Sequence, residues 1–332
     1  MAKKKKICFV GSLSHTFVKR DLEILIKHFD VDVIEPPSTI FEWLRYPSKV
    51  RKKVKSSDIV FGWFAGWHSI FGVYFSKIYK KKSLVVVGGY DIEYMPEIDY
   101  GALTNLKEKI AAKYVLKNSD LLLPFSDYAV NNLKKMNIKT DFNKIYIGCN
   151  SKKYFIKGKK EDIVLTVGGV KKNNLKRKGL EFFVRIAKYF PKIRFVLAGK
   201  IKDDSIDYLK SIASDNVEFT DFIDDTSLID LYQKSKVYCQ LSYQEGFGLS
   251  LAEAMLCGAI PVVNRRGSIQ EVVGDTGFYI NKFEDEKETI NAIKKALNSN
   301  IEIGIKARHW IEDNYSLEKR EYKLIEIINK II

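Results

Sequence analysis

Short apolar segments alternate with helix-length segments along most of the chain. The first series of apolar segments covers residues 7–10, 31–34, 59–62, 84–87, 121–123 and 145–147. Runs of this length are typical of parallel strands that are covered on both faces. The longer segments between them, such as residues 17–28, 103–116 and 127–136, predict helices. This order predicts an α/β domain with a doubly wound parallel sheet.

The alternation starts again after the lysine-rich residues 151–160. Its apolar segments are residues 163–167, 195–198, 237–241 and 260–263. A single core usually stops growing near roughly 250 to 300 residues, and the chain has 332 residues. We therefore expect two Rossmann-like doubly wound domains, residues 1–150 and 151–315. Residues 316–332 predict an amphipathic helix, which we expect to pack back on the first domain.

One segment needs to be weighed as a membrane span. Eighteen uncharged residues, seven of them aromatic, lie between Asp58 and Lys77. A span usually needs about 20 predominantly apolar residues, and Gly62, Gly66 and Gly72 interrupt this segment. We therefore favour a buried strand, a loop and a helix.

Charge is unevenly distributed. The chain carries 56 Lys and Arg against 41 Asp and Glu, a net charge of +15, and residues 1–150 account for +10 of it. Such an excess attracts nucleic acid, anionic lipid or phosphorylated substrates, and charge alone does not choose among them.

Several classes of protein are disfavoured by missing motifs. No G-x-G-x-x-G follows the first strand of either domain, and neither a P-loop nor a G-x-S-x-G motif occurs. The four cysteines are scattered without metal-ligand spacing, so we expect buried thiols and no metal site. The basic start has only four apolar residues before Gly11, too few for a secretory signal, which favours a cytoplasmic chain.

The most informative segment is residues 243–255, Tyr-Gln-Glu-Gly-Phe-Gly-Leu-Ser-Leu-Ala-Glu-Ala-Met. It follows the apolar residues 237–241, and its two glycines allow a tight turn before a run of good helix formers. Free amides at the start of that helix can hold a phosphate. Glu245 and Glu253 flank this anion site as hydrogen-bond acceptors. The alternative is that Glu245 caps the helix and Glu253 is solvated.

With its flanking segments, this region resembles the donor-site signature of retaining glycosyltransferases of family 4. The resemblance rests on the spacing of the two glutamates and on the following segments Gly-Ala-Ile-Pro-Val-Val, residues 258–263, and Gly-Ser-Ile-Gln-Glu-Val-Val, residues 267–273. Upstream, Val167-Gly168-Gly169 and Lys178-Gly179 resemble the phosphate-binding segment of that family. The resemblance implies the GT-B fold, in which two Rossmann-like domains face a cleft, and an enzyme that uses a nucleotide sugar.

The resemblance also implies roles for individual residues. Glu245 is expected to contact hydroxyls of the donor sugar, Glu253 the ribose, and Lys178 the leaving phosphate. Stabilising charge on that phosphate favours the transition state over the ground state, so no metal cofactor is required. The expected donor-binding residues are Glu253, Gly246, Phe247, Gly248, Leu249, Gly168, Gly169 and Arg177.

Two positions depart from the family pattern. Gly169 stands where members usually have Arg, and Arg177, Lys171 or Lys172 are open as substitutes. A glycine of the pair at residues 88–89 stands where many members carry a His. Asp91 is then a hypothetical catalytic residue that orients the acceptor, with a turn or helix-cap role as the alternative.

Two further features of the first domain have both a functional and a purely structural interpretation. Gly11 and Ser12 either line the cleft opposite the donor or form an ordinary tight turn. Phe41, Trp43, Leu44 and Tyr46 precede the basic run at residues 49–55, a combination that can lie on anionic lipid. The alternative is a helix whose aromatic residues pack inward.

Together these observations predict a retaining glycosyltransferase that moves a sugar from a UDP- or GDP-sugar to a glycan or lipid-linked acceptor. We expect it to act in polysaccharide or glycoconjugate synthesis, in the cytoplasm or peripherally on the inner face of the plasma membrane. A phosphorylase or hydrolase of the same fold is the alternative among enzymes. A basic nucleic-acid-binding protein would explain the charge but not the paired glutamates, so nucleic acid is not an expected partner.

Overall fold

The computed structural model describes residues 4–332, so Met1–Lys3 of the basic start lie outside the described residues. Two compact units are present. One contains the residues up to Gly148 together with Glu318–Ile332, and the other contains Cys149–Leu317. We call them the first and the second unit.

The first unit is built on a five-stranded parallel sheet. Its strands are β1 (Lys6–Val10), β2 (Asp30–Ile34), β3 (Ile59–Trp63), β4 (Lys82–Val87) and β5 (Leu121–Pro124), in the order β2-β1-β3-β4-β5. Its helices are α1 (Thr16–His28), α2 (Ile40–Lys55), α3 (Trp67–Ile78), α4 (Leu106–Asn118) and α5 (Asp127–Lys135). Every residue of β3 is buried, as expected for a central strand covered on both faces.

The second unit holds a six-stranded parallel sheet. Its strands are β6 (Glu161–Val167), β7 (Arg194–Ala198), β8 (Val217–Phe219), β9 (Ser235–Gln240), β10 (Ile260–Asn264) and β11 (Phe278–Ile280), in the order β11-β10-β9-β6-β7-β8. Its helices are α6 (Lys172–Arg177), α7 (Leu180–Ile186), α8 (Ser205–Ile212), α9 (Asp225–Lys234), α10 (Leu249–Leu256), α11 (Ile269–Val273), α12 (Glu286–Asn298) and α13 (Ile301–Tyr315). The order reverses between β6 and β9, where doubly wound sheets bind ligands beyond the carboxyl ends of the strands.

The last helix, α14 (Leu317–Ile331), packs against the first unit. Its buried Arg320 forms a two-pronged ion pair with Asp21 of α1, at 2.5 Å for Nε–Oδ1 and 2.6 Å for Nη2–Oδ2. Both side chains are almost fully buried, and breaking a buried pair typically costs several kcal/mol. The amphipathic pattern at the chain's end therefore covers part of the α1 side of this unit.

The sequence predicts the elements well, with two kinds of error. Residues 145–147 are not a strand: the amide of Ile145 donates to Pro124, but the carbonyl oxygens of Ile145 and Tyr146 accept from Arg320 instead of pairing with a neighbouring strand. The strands β8 and β11 were not predicted, because three residues are too few to form a recognisable apolar segment.

The fold decides how the uncharged segment is interpreted. The uncharged segment between Asp58 and Lys77 forms β3, a turn and α3, as favoured above. Within residues 4–332, no helix is both long and apolar enough to cross a membrane. All four cysteines are buried free thiols.

Candidate functional site

The helix α10 begins at a glycine turn directly beyond strand β9. Gly248 occupies the left-handed region at φ 85° and ψ 51°, a conformation that glycine adopts without steric cost. The turn exposes backbone amides at the start of α10, beginning with Leu249, and the helix dipole makes this end attractive to an anion. The side chain of Phe247 is buried against the ring of Tyr315, so it anchors the loop.

Glu245, three residues before this helix start, is held through one carboxylate oxygen. Its Oε1 accepts from Lys178 Nζ at 3.0 Å, Ser242 Oγ at 3.2 Å and Gln240 Nε2 at 3.3 Å. Its side chain is 13% exposed, and Oε2 has no protein partner within residues 4–332. One oxygen therefore fixes the carboxylate while the other remains available as an acceptor.

The charges around Glu245 keep it ionised. Burial acts to raise its pKa, but the positive charges of Lys178 and Arg177 and the hydrogen bonds outweigh burial and lower the pKa below the ordinary 4.5. Arg177 Nη1 lies 4.0 Å from the same oxygen. At neutral pH the site therefore contains a carboxylate neutralised by two fixed cations.

Gly179 explains how Lys178 reaches Glu245. It lies between α6 and α7 in the left-handed region, at φ 65°, and a Cβ there would come within 2.1 Å of the carbonyl oxygen of Leu241. The glycine lets this turn approach the end of β9, where the amide of Tyr243 donates to the carbonyl of Arg177. The glycine of this Lys-Gly pair is thus required by a close backbone approach.

Gly168 and Gly169 follow strand β6 and lie beside the same cations. A Cβ at Gly168 would meet the side chain of Lys178 at 3.0 Å. Asn174 joins the glycines to the site, because its Nδ2 donates to the carbonyl of Gly169 and its Oδ1 accepts from Arg177. The predicted phosphate segment is therefore connected to Glu245 through one chain of hydrogen bonds and charges.

Among the substitutes considered for the missing Arg, the structure brings only Arg177 into this network. Lys171 and Lys172 are exposed at the start of α6. A residue that sequence reasoning missed, Lys202, comes nearest to Gly169: its Nζ would be 3.8 Å from a Cβ at that glycine. Lys202 lies just beyond β7 and carries no motif that could have identified it.

Glu253 lies on α10 and is 6% exposed. Burial, and after it the charge of Glu253, raises the pKa of Tyr232. Burial likewise raises the pKa of Tyr238, with the charges of both Glu245 and Glu253 adding to the shift. Tyr238 is therefore near both glutamates, and its hydroxyl donates to Ser250 Oγ at 2.9 Å.

A layer of polar residues behind Glu245 was not predicted. Gln240 and Ser242, at the end of β9, bond to each other and to Glu245. Asn264, at the end of β10, donates to the carbonyls of Leu241 and Ser242. The signal in the sequence was a polar residue within an apolar strand, because Gln240 directly follows four strand residues of which three are fully buried.

The remaining predicted residues belong to the first unit. The carboxylate of Asp91 is 2% exposed and accepts from the amides of Ala65, Gly88 and Gly89 at 2.9 to 3.2 Å. Burial raises its pKa although these amides lower it. This is the turn role that the sequence left open, and the carboxylate holds the loop after β4.

Gly11 and Ser12 form the turn between β1 and α1. A Cβ at Gly11 would meet the side chains of Trp63, Val18 and Phe9 at 3.1 to 3.3 Å, so the turn is crowded. Ser12 Oγ bonds to Ser14 Oγ. As for metals, the described part of the chain assembles no group of three or more His, Cys, Asp or Glu that could hold one.

Comparison with known proteins identifies the family to which this geometry belongs. Residues 150–317, which contain Glu245, Glu253 and Lys178, match the model of glycosyl transferases group 1. The chain belongs to this family. The match covers the second unit, where the network around Glu245 lies.

Curated relatives match over shorter stretches. The chain is 27% identical to trehalose synthase of Pyrococcus horikoshii over 46% of this chain and 40% of that protein. It is 30% identical to the serotype-specific mannosyltransferase WbdA of Escherichia coli over 36% of this chain and 16% of that protein. The matched region thus spans less than half the length of either relative.

Solved structures match over nearly the whole chain. Anabaena HepE, solved with UDP and glucose, superposes with a TM-score of 0.76 at 17% identity, covering 98% of this chain and 100% of that one. Sucrose-phosphate synthase of Thermosynechococcus elongatus gives a TM-score of 0.80 at 17% identity, covering 98% and 99%. These similarities confirm the predicted fold class, two Rossmann-like halves of the GT-B type.

Proposed function

We propose that this group 1 glycosyltransferase moves a hexose from a nucleoside-diphosphate sugar to an acceptor hydroxyl with retention of the anomeric configuration. The observation that carries the proposal is the ion pair of Glu245 and Lys178 beside the glycine turn that opens α10. This arrangement places three groups at the carboxyl ends of adjacent strands. They are a carboxylate that can accept hydrogen bonds from sugar hydroxyls, a cation, and free helix amides. A sugar diphosphate needs these three kinds of group.

Glu245 binds hydroxyls of the donor sugar through Oε2. Because Oε1 is fixed by Lys178, Ser242 and Gln240, the carboxylate needs little reorganisation when the sugar arrives. Its lowered pKa keeps it ionised, and an ionised acceptor forms stronger hydrogen bonds with hydroxyls than a neutral one does. Glu253, in the buried surroundings of Tyr232 and Tyr238, binds the ribose.

Lys178 and Arg177 stabilise the leaving diphosphate together with the amides at the start of α10. Negative charge builds on the diphosphate as the glycosidic bond breaks, so fixed cations favour the transition state over the bound donor. Gly168 and Gly169 leave room for the phosphates, and Lys202 adds positive charge near them. In this mechanism the diphosphate itself accepts the proton of the acceptor. Because Lys178 and Arg177 neutralise the diphosphate in place of a metal ion, transfer should persist in EDTA.

Asp91 enters the proposal as a positioning residue. It fixes the loop at residues 88–89 through backbone amides, in the place where many family members carry a His. Gly11 and Ser12 are proposed to line the acceptor side only through their backbone turn.

The acceptor proposed is a glycan or a lipid-linked saccharide in cell-surface polysaccharide synthesis. The support is the similarity to proteins named as O-antigen and serotype-specific mannosyltransferases of Escherichia coli. We also propose that the protein works on the cytoplasmic side as a peripheral protein on an anionic membrane surface.

A screen of UDP-, GDP- and ADP-sugars tests the proposal. We expect one donor to release nucleoside diphosphate and the same nucleotide to raise the melting temperature. Nuclear magnetic resonance of the product should show the anomeric configuration of the donor. Release of sugar 1-phosphate with inorganic phosphate would show a phosphorylase, and release of free sugar that no acceptor suppresses would show a hydrolase. Stabilisation by oligonucleotides alone would show a nucleic-acid-binding protein.

A further inference from the structure

Three neighbouring helices of the first unit carry most of the chain's excess positive charge. Helix α3 packs between α2 and α4. Together the three helices contain eleven Lys and Arg but only two acidic residues, Glu42 and Glu108, which gives +9 of the chain's +15. Helices α1 and α14 of the same unit each carry a net charge of only +1. The charge excess therefore belongs to one helical layer.

The same layer exposes large apolar side chains at the start of α2. Ile40, Phe41 and Leu44 are 70%, 74% and 75% exposed, while Tyr46 and Val50 of the same helix are buried. Single exposed apolar residues are common, but three within a turn and a half of one helix form a patch that marks an interaction site. The alternative that the aromatic residues pack inward is thus true of Tyr46 and Trp43 but wrong for Phe41.

Cationic side chains follow on the same exposed side of α2. By helical spacing Phe41, Arg45, Lys52 and Lys55 lie opposite the buried Val50. Arg45, Lys52 and Lys55 have no ion-pair partner among the described residues, so their charge is not neutralised within the protein.

The acidic residue of α2 forms no ion pair with these three cations. The carboxylate of Glu42 accepts from the amide and the hydroxyl of Ser38, at 2.7 and 3.1 Å, as a cap of the helix start. Helix α4 repeats the combination seen on α2. It exposes Leu106 and Ile110 beside Lys107 and Lys113.

We propose that this layer of α2, α3 and α4 docks on an anionic phospholipid bilayer. Ile40, Phe41 and Leu44 insert at the boundary between head groups and acyl chains, and the basic residues of α2 and α4 contact lipid phosphates. Exposed apolar residues and Lys or Arg on one helical surface are the two elements of interfacial binding, and each reinforces the other. The inference identifies the surface for the peripheral association proposed above and does not depend on the donor chemistry.

Nucleic acid fits this surface less well. Bases stack on aromatic rings and phosphates pair with cations, but aliphatic residues such as Ile40 and Leu44 add little to either contact. In a bilayer these two side chains leave water, so both the apolar and the cationic parts of the surface contribute.

Sedimentation of the full-length chain with vesicles tests the proposal. We expect binding to phosphatidylcholine vesicles that contain about a third phosphatidylglycerol, weak binding to pure phosphatidylcholine, and release at high salt. The triple variant Ile40→Ser/Phe41→Ser/Leu44→Ser and the double variant Arg45→Glu/Lys52→Glu should each lower the partition coefficient about tenfold or more. These residues are exposed, so the variants should fold.

Matched controls come from exposed residues of the second unit. Phe222→Ser removes an aromatic ring that is 71% exposed, and Lys287→Glu/Lys294→Glu reverses two exposed charges on α12. Both should bind vesicles within about twofold of the wild type, since each leaves the α2 surface intact.

The outcomes separate this inference from the proposed activity. Donor turnover with a soluble acceptor should be unchanged in the triple variant, so loss of vesicle binding with full turnover supports the surface. Failure of the wild type to bind anionic vesicles at low salt would overturn it, as would wild-type binding by the triple variant. Displacement from vesicles by a short oligonucleotide, with equal oligonucleotide binding by the triple variant, would reassign the layer to nucleic acid.

Discussion

The two units have related topologies but different chemistry at the carboxyl ends of their strands. In the second unit these ends carry Glu245, Lys178, Gln240 and Ser242 in one polar network. In the first unit they carry aromatic side chains: the rings of Trp63, Phe64 and Phe17 lie within 5.1 to 5.9 Å of one another.

Polar groups in the first unit serve the fold. The carboxylate of Asp91 accepts from backbone amides, and the exposed cations Arg45, Lys52 and Lys55 lie on helix α2. Topology thus decides where a ligand can bind, while the residues at the strand ends decide which ligand it is. In our proposals the second unit binds the donor, and the first unit provides the surface that contacts lipid.

Replacing Gly179 should have the largest effect. In Gly179→Ala the new Cβ would meet the carbonyl of Leu241 at 2.1 Å, so the turn must move and carry Lys178 away from Glu245. We expect a loss of about 2 kcal/mol or more in the free energy of unfolding, together with loss of transfer. Denaturant titration and nucleotide release measure the two effects.

Gly158→Ala is the matched control. Gly158 has a similar φ of 68°, but a Cβ there meets nothing within 4 Å. It should cost about 1 kcal/mol from backbone strain and leave turnover unchanged. Equal losses of activity in both variants would show that the close approach at Gly179 is not what assembles the site.

Lys178→Met should lower kcat about 100-fold, because the leaving diphosphate loses a fixed cation. It should also change the pH dependence. In the wild type, the lowered pKa of Glu245 means that its stabilisation is complete above about pH 4.5 and is lost as the pH falls through the folded pKa. In the variant only Arg177 and the remaining hydrogen bonds oppose burial, so the pKa of Glu245 should rise and the loss of stability at acidic pH should become smaller.

Melting temperatures between about pH 2 and pH 7 distinguish the two profiles. Lys176→Met, at an exposed position of α6 two residues before Lys178, is the control and should behave as the wild type. A wild-type pH profile in Lys178→Met would contradict the assigned cause of the Glu245 pKa shift.

Asp91→Ala should have a smaller effect, confined to the first unit. Three backbone amides lose their acceptor, and a loss of about 1 to 3 kcal/mol in the free energy of unfolding is expected. Donor hydrolysis by water should be unchanged, while KM for the acceptor should rise. Asp91→Asn keeps one acceptor oxygen and should recover part of both losses. Unaltered transfer kinetics in Asp91→Ala would remove this residue from the proposal.

The sequence predicts local structure well where one motif determines a turn or a helix start. The alternation of strands and helices and the glycine turn before α10 each follow from short-range patterns. The prediction was weaker where contacts join distant segments. Lys178 and Gln240 both donate to the same oxygen of Glu245. These contacts require α6 to approach β9, and no spacing in the sequence indicates that approach.

Contacts between distant segments also explain the features that the sequence did not predict correctly. Residues 145–147 look like a strand because they are apolar, but Arg320, 174 residues further along, takes the carbonyl of Tyr146. Nothing in the sequence distinguishes Lys202 from the other lysines, and only the fold places it beside Gly169. The exposure of Phe41 beside the buried Tyr46 depends on which side of α2 meets the sheet.

The most direct test of the central claim compares the wild type with Glu245→Gln in a nucleotide-release assay with the identified donor. Glutamine keeps the size of the side chain but removes the charge that Lys178 and Arg177 neutralise. The account predicts a folded variant whose kcat/KM falls about 100-fold to 1,000-fold. A folded Glu245→Gln variant with wild-type kcat/KM would contradict it.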